Sequence, residues 1–276
     1  MSIIKKYLII PNESNKLIDN NRYINNPKFD TIPPDNLKLS DLVIVYSNGM
    51  RNRIIDINCL KKNLIIYDKI YENEIEKHDI SITFCPYTLS TVAYIGRFKL
   101  SKYIYNNNIV LIDENREDDV GIIQISGKIF SMNTGEYIND LVVREECKLM
   151  TLKNSLSLFP DSQFIKKQNN QDNILPETYY RTNKILYPMI KINLNKKQYK
   201  RLVLGIEYIT SKINIDDVKK HTVIITKNED YDIHNNGLLN YVESNYDKIK
   251  HKGGFLISCF YFAWLSHFVN TKVINL

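Results

Sequence analysis

The stretch Ser81 to Gly96, SITFCPYTLSTVAYIG, constrains this chain most. Ile82 and Phe84 alternate with polar partners on the way to Cys85-Pro86, and Val92, Tyr94 and Gly96 alternate with Ala93 and Ile95 beyond Ser90. A period of two sends successive side chains to opposite faces of an extended strand, and proline has no amide hydrogen to carry a strand onward. The pattern predicts one strand, a tight corner at Cys85-Pro86, and a second strand beginning near Ser90.

Other segments extend this β-rich reading. In Leu42 to Asp56, LVIVYSNGMRNRIID, two apolar runs flank Asn48-Gly49, a pair favoured in type I′ hairpin turns because both central residues take positive φ. Ile57 to Lys62 reads as a helical turn and Asn63 to Tyr71 as a strand. Further strands are expected around Tyr103 to Ile112 and Val120 to Phe130, with turn chemistry in Ser131 to Glu136, SMNTGE. Leu149, Leu152, Leu156 and Phe159 recur at helical spacing until Pro160-Asp161.

Residues 1–36 read as a polar lead-in in which Pro27, Pro33 and Pro34 favour extended or turn conformations. Lys166 to Asp172, KKQNNQD, has the composition of a linker. Beyond it, Leu202 to Ile206 echoes Leu42 to Tyr46, and Phe260 to Ile274 echoes Leu152 to Ile165. His221 to Thr226 supplies a strand and Asn236-Gly237 a turn. The expectation is an α+β protein, predominantly β, built from two similar β-rich halves with short helices, closely docked. An internal duplication at a spacing of roughly 150 residues would produce it, far beyond solenoid periods. The chain divides into the lead-in 1–36, a first half 37–165, a linker and basic segment 166–200, and a second half 201–276.

Composition narrows the function classes. A net charge of +6, from 37 basic and 31 acidic side chains, is a mild excess, whereas nucleic-acid domains concentrate a basic face. The longest apolar run, Phe255 to Phe268, contains Ser258, Ser266 and His267 and is too short to span a bilayer, so it is expected in a core. The N-terminal stretch lacks the apolar length of a secretory signal. Cys59, Cys85, Cys147 and Cys259 form no CxxC pair, which excludes a zinc ribbon or thioredoxin motif. Scattered thiols suit a reducing compartment, in the cytoplasm or a virion. Heavy use of Asn, Ile, Lys and Tyr fits an AT-rich genome, that of a large DNA virus, a protist or a low-GC bacterium alike.

Cys85 is the first candidate for chemistry, because a thiol at a strand corner can be a nucleophile if a base lies near. The five histidines sit in no recognisable cysteine-protease context, and the alternative is a small buried residue that lets the corner pack. Thr134, Gly135 and Glu136 in the polar turn are candidate binding residues. Arg181 to Arg201 holds seven basic residues and no acidic ones, interleaved with Tyr180, Tyr187 and Tyr199. Its Lys196, Lys197, Lys200 and Arg201 are candidates for a phosphate backbone with rings stacking on bases. A lysine-rich sheet edge that deters strand pairing is the favoured alternative. Asp113 to Asp119, DENREDD, lacks the alternating ligands and glycine of a calcium loop and is expected as a solvated connection. Walker, GxGxxG and HExxH motifs are absent from the sequence. No cofactor and no metal is expected.

These fragments, in this order, resemble the domain of unknown function 3179 family, found mainly in bacteria and archaea. Ile24 to Phe29 is similar to its entry segment, Leu42 to Asp56 to its Asn-Gly hairpin, and Thr83 to Ser90 to its tyrosine-cysteine-proline-leucine motif. Asn108 to Asp113, the Thr134-Gly135-Glu136 turn, Leu202 to Ile206, and Ala263-Trp264 through Val273 follow in family order, so the resemblance runs from about Ile24 to Leu276. Many members carry a second cysteine where Thr88 stands, a tryptophan-histidine-glutamate segment where Cys59 to Asn63 reads CLKKN, and a tryptophan where Phe130 stands. The resemblance implies no reaction. The favoured function is a non-enzymatic binding or structural protein with a protein partner, virion-associated if the source is a large DNA virus, and no membrane. The alternatives are an enzyme using Cys85 beside the Ser131 to Glu136 turn, and nucleic-acid binding through Arg181 to Arg201.

Overall fold

A computed structural model describes residues 3–11, 22–116, 119–166, 172–208, 221–225, 249, 254–268 and 270–275. The Asn-Gly hairpin forms as β4 (Leu42–Ser47) and β5 (Asn52–Asp56), with Val45 opposite Ile54. Its connection is four residues long, not the two of a type I′ turn. Gly49 takes positive φ (+86°), while Asn48 Oδ1 accepts the amides of Met50 and Arg51 at 3.2 and 2.9 Å. The loop lies against β6 (Ile65–Glu72), where a Cβ on Gly49 would fall 1.8 Å from the Tyr71 carbonyl oxygen.

This hairpin anchors a five-stranded sheet of order β15 (Cys147–Thr151), β4, β5, β16 (Gln163–Ile165), β3 (Phe29–Asp30). Helix α3 (Leu152–Leu158) joins β15 to β16. The helical spacing from Leu149 is therefore only partly realised: pairing of Cys147 through Thr151 with β4 holds Leu149 in a strand. The helix starts where the Thr151 hydroxyl caps the amide of Asn154.

A second sheet has the order β19 (Gly254–Phe260), β17 (Leu202–Tyr208), β18 (His221–Ile225), β20 (Thr271–Asn275). Helix α5 (Tyr261–His267) joins β19 to β20. In both sheets the strand before the helix lies antiparallel to the first hairpin strand, and the strand after it lies parallel to the second. Thr151 opposite Leu42 and Phe260 opposite Leu202 mark matching helix starts. The apolar run from Phe255 is core: Trp264 is 0% exposed and packs so closely that a Cβ on Gly205 would lie 1.9 Å from its ring.

Two further sheets are formed mainly by the chain between β5 and β15, with β1 and β2 joining from the N-terminal side. One has the order β14 (Arg144–Glu145), β8 (Ser90–Ile95), β7 (Ile75–Cys85), β6, β2 (Tyr23–Asn25). The other has β1 (Leu8–Ile9) beside β9 (Phe98–Tyr105), then β10 (Asn108–Asp113), β11 (Val120–Ile123), β12 (Lys128–Ser131) and β13 (Tyr137–Leu141) as an antiparallel meander.

Two sequence expectations are corrected here. Tyr103 to Ile112 and Val120 to Phe130 are each two strands around a turn. Asn106 and Asn107 both take left-handed φ (54° and 62°), which asparagine tolerates better than other side-chain-bearing residues, and reverse the chain in two residues. The polar lead-in also carries helix α1 (Ile3–Tyr7), β1, β2 and β3. The turn at Ser131 to Glu136, the helical turn α2 (Ile57–Leu60) and the strand from Ile65 form as expected. The linker centre, 167–171, and Asn236-Gly237 lie outside the described residues. The protein is α+β and predominantly β, and no helix among the described residues is long and apolar enough to cross a membrane.

Candidate functional site

The corner after β7 is built from residues buried on both faces. Cys85 pairs with Ser90, and residues 86–89 turn the chain with Leu89 at φ +55°. Strands covered on both sides must satisfy their polar side chains internally, and this corner does so through Gln124. Its carbonyl accepts from Ser90 Oγ (2.7 Å) and Asn108 Nδ2 (3.0 Å). Its amide donates to Thr83 Oγ1 (3.1 Å) and to the Ser90 carbonyl (3.3 Å). Thr88 shares a hydrogen bond with Ser90 Oγ at 2.8 Å and accepts one from Asn108 Nδ2 at 3.1 Å. Phe130 is buried over Gly121.

Residues 172–200 cross this corner as a strap with only one helical turn, α4 (Glu177–Tyr180), and a 3-10 turn at Lys196–Gln198. The strap begins at α2, where Ile174 N–H reaches the Lys61 carbonyl and Lys61 Nζ meets Glu177 at 2.8 Å. Tyr179 Oη then donates to the Tyr87 carbonyl at 2.9 Å. The Asn107 carboxamide brackets Tyr187, accepting its N–H at 2.9 Å and donating to its C=O at 2.7 Å. Asn106 does the same between two segments, accepting from Ile190 N–H (2.7 Å) and donating to the Ser266 carbonyl (2.9 Å). The second sheet joins through Phe260 N–H, which donates to the Thr88 carbonyl at 2.8 Å. Strap, meander and C-terminal sheet thus converge on one corner.

Within it, Cys85 is 0% exposed and its S–H points at the Asn107 carbonyl, 3.7 Å away. Burial raises the thiol's pKa, and hydrogen bonding from Thr88 offsets this only in part. Lys200 is also buried, with its ammonium on the Tyr179 carbonyl and 2.9 Å from the centre of the Tyr179 ring. Burial, with the charge of Lys184 adding, pushes it down to about 7. Lys196 and Lys197 are exposed, and Arg201 is half-buried with its carbonyl bonded to Tyr261 N–H. No strand runs through 181–201, and two of the interleaved rings face inward: Tyr187 packs edge-on to Tyr87, and Tyr180 lies against Phe260.

Thr134, Gly135 and Glu136 lie far from Cys85. Strands of the meander alternate in direction, so the turns at 106–107 and 124–127 share the end that meets Cys85, and the turn at 132–136 lies at the other. The six-residue β10 separates those ends by about 20 Å. There Gly135 N–H bonds the Ser131 carbonyl, and the Met132 amide bonds that of Asp119.

Sequence reasoning missed Gln124, Asn106, Asn107 and Asn108. Their signal was amide side chains set within apolar runs, a composition that the interior admits only when every group is paired. It also missed a cleft of about 450 Å³ where β2 and β6 meet β9, lined by Tyr23, Tyr67, Arg97 and Glu114 among others. Among the described residues no group of His, Cys, Asp and Glu is arranged to hold a metal ion.

The family model described as Protein of unknown function (DUF3179) matches residues 23–245, a span that contains the corner, the meander and the strap. No curated protein and no solved structure matches the chain.

Proposed function

The chain belongs to the DUF3179 family, and on that premise we propose that it is a non-enzymatic binding protein whose cysteine-proline corner is an architectural junction. The observation that carries this reading is the sealed thiol: Cys85 is 0% exposed beneath the strap. A nucleophilic cysteine needs access to substrate and a means of becoming thiolate, and burial acts here in the opposite sense. His221 and His267 serve packing roles elsewhere, against Trp264 and Tyr105 respectively. The side chains of Thr88, Ser90, Asn106, Asn107, Asn108 and Gln124 are spent on one another and on the backbone of converging segments, which suits fixing a shape. The common strand order of the two hairpin–helix sheets supports an origin by internal duplication.

Native-state alkylation tests this reading. Iodoacetamide at pH 8 should leave Cys85 unmodified in the folded protein and modify it in urea, as read by peptide mass spectrometry. Rapid stoichiometric modification of folded protein, with a rate that titrates below the ordinary thiol range, would instead make Cys85 a catalytic nucleophile.

A further inference from the structure

We propose that the cleft between β2, β6 and β9 is a saccharide-binding site. It gives the binding-protein reading above a ligand class, and it stands on the cleft's own lining rather than on the state of Cys85. The cleft encloses about 450 Å³, room for about fifteen waters at ~30 Å³ each, which suits a ligand of one or two sugar rings. Its floor comes from neighbouring strands: Tyr23 lies opposite Ile65 and Asn25 opposite Tyr67 in the parallel β2–β6 pair. The wall comes from the segment entering β9 and the residue that follows β10, bringing Arg97, Lys99 and Glu114.

The chemistry of this lining selects among ligands. Arg97 lies with its guanidinium carbon 4.2 Å from the centre of the Tyr67 ring. Its nitrogens are already engaged, with Glu114 at 3.2 Å, Asn25 Oδ1 at 3.3 Å and Asp79 at 4.0 Å. Its charge is balanced by the Glu114 and Asp79 carboxylates, and its Nε and one Nη already donate to Glu114 and Asn25, so the group offers a flat face more readily than a bidentate phosphate clamp. Beside it, Tyr23 is 42% exposed on the edge strand, with its ring centre 5.9 Å from that of Tyr67. The gap between these rings is too narrow to admit a third ring, so a ligand must lie across them. An apolar ligand would strip water from Arg97, Lys99 and Glu114 without replacing its hydrogen bonds. An anion would meet the Glu114 carboxylate. A sugar answers both conditions: its C–H face covers flat surfaces, and its hydroxyls, each donor and acceptor, fit a rim where carboxylate, ammonium and amide stand side by side.

Saturation-transfer NMR on the full chain tests the assignment, with millimolar methyl glycosides of glucose, galactose, mannose, fucose and N-acetylglucosamine. Adenosine monophosphate and inorganic phosphate serve as anionic comparators. At least one glycoside should receive saturation at its ring C–H protons. Its Kd should weaken tenfold or more in Tyr23→Ala and in Glu114→Gln, while the thermal midpoint stays near that of the parent chain. Lys99→Ala, an exposed side chain, supplies a third variant should either of these unfold, with a several-fold loss expected. Saturation of no glycoside, affinity unchanged in folded variants, or binding of the monophosphate displaced by phosphate would each overturn the proposal. A reactive Cys85 alone would overturn only the reading of the corner.

Discussion

Asn107→Ala should lower stability by about 3–5 kcal/mol, more than a surface-turn substitution ordinarily costs. The side chain is wholly buried, and its carboxamide satisfies both the N–H and the C=O of Tyr187, at 2.9 and 2.7 Å. Removing it strands two buried backbone groups at about 1–3 kcal/mol each, of which solvent entering the gap returns a part. Alanine must also hold the left-handed φ of 62°, at a cost of roughly 1 kcal/mol over glycine. Asn107→Gly separates these contributions, because it loses the same hydrogen bonds without the backbone strain, and it should be less destabilised than alanine by that ~1 kcal/mol. Trp264, the single tryptophan and 0% exposed, reports unfolding by its fluorescence. In a urea titration with an m-value of about 3 kcal/mol/M, the alanine midpoint should fall by roughly 1–1.7 M. An alanine variant within about 1 kcal/mol of the parent would refute the idea that this turn clamps the strap.

Lys200→Met should stabilise the fold most at neutral and acidic pH. Between about 7, where the buried ammonium releases its proton, and the ordinary 10.5, the unfolded chain holds a proton that the native one lacks, so parent stability rises with pH through that window. Below it methionine should gain about 2–4 kcal/mol after allowing for the lost contact with the Tyr179 ring, and thermal melts whose pH slope survives the substitution would show a solvated lysine instead. Glu207→Gln should cost about 3–5 kcal/mol, because it leaves Arg144, bonded at 2.7 Å with side chains only 5% and 1% exposed, as an uncompensated charge between two sheets. Arg144→Met combined with Glu207→Met should regain most of that loss in the same melts, and a double variant as weak as the single one would count against a purely electrostatic origin.

Local signals in the sequence were readable where the chain's own chemistry decides its path. Asn48-Gly49 announces a reversal because Gly49 must take positive φ against the Tyr71 carbonyl, and Cys85-Pro86 ends a strand because proline cannot extend one. The Asn106-Asn107 turn was hidden because asparagine inside an apolar run looks the same in sequence whether it bends the backbone or faces solvent. Only the contact with Tyr187, eighty positions away, decides between them. Leu149 shows the opposite case, in which β-pairing with Ile44 overrides a helical period.

The functional surfaces were harder to read for the same reason. The strap was visible as a basic run, but burial of Tyr180, Tyr187 and Lys200 depends on the corner they cover. The cleft draws on residues 23–25, 65–67 and 97–114, three segments that no local pattern joins. The motif around Cys85 was legible as a family signature, whereas its sealing comes from a segment nearly a hundred residues later.

Whether the strap seals the corner can be measured directly by the rate of Cys85 modification in the parent and in Tyr179→Phe. That substitution removes one hydroxyl, the donor to the Tyr87 carbonyl at 2.9 Å, and leaves the ring in place. Losing a buried hydrogen bond of about 1–1.5 kcal/mol should make strap opening, and with it Cys85 modification under native conditions, roughly five- to tenfold faster. Parent protein should react only at the slow rate set by opening, with the rate rising in dilute urea. Equal rates in the two proteins, both as fast as a free thiol, would contradict the account: Cys85 would then be open to solvent and the corner available for chemistry.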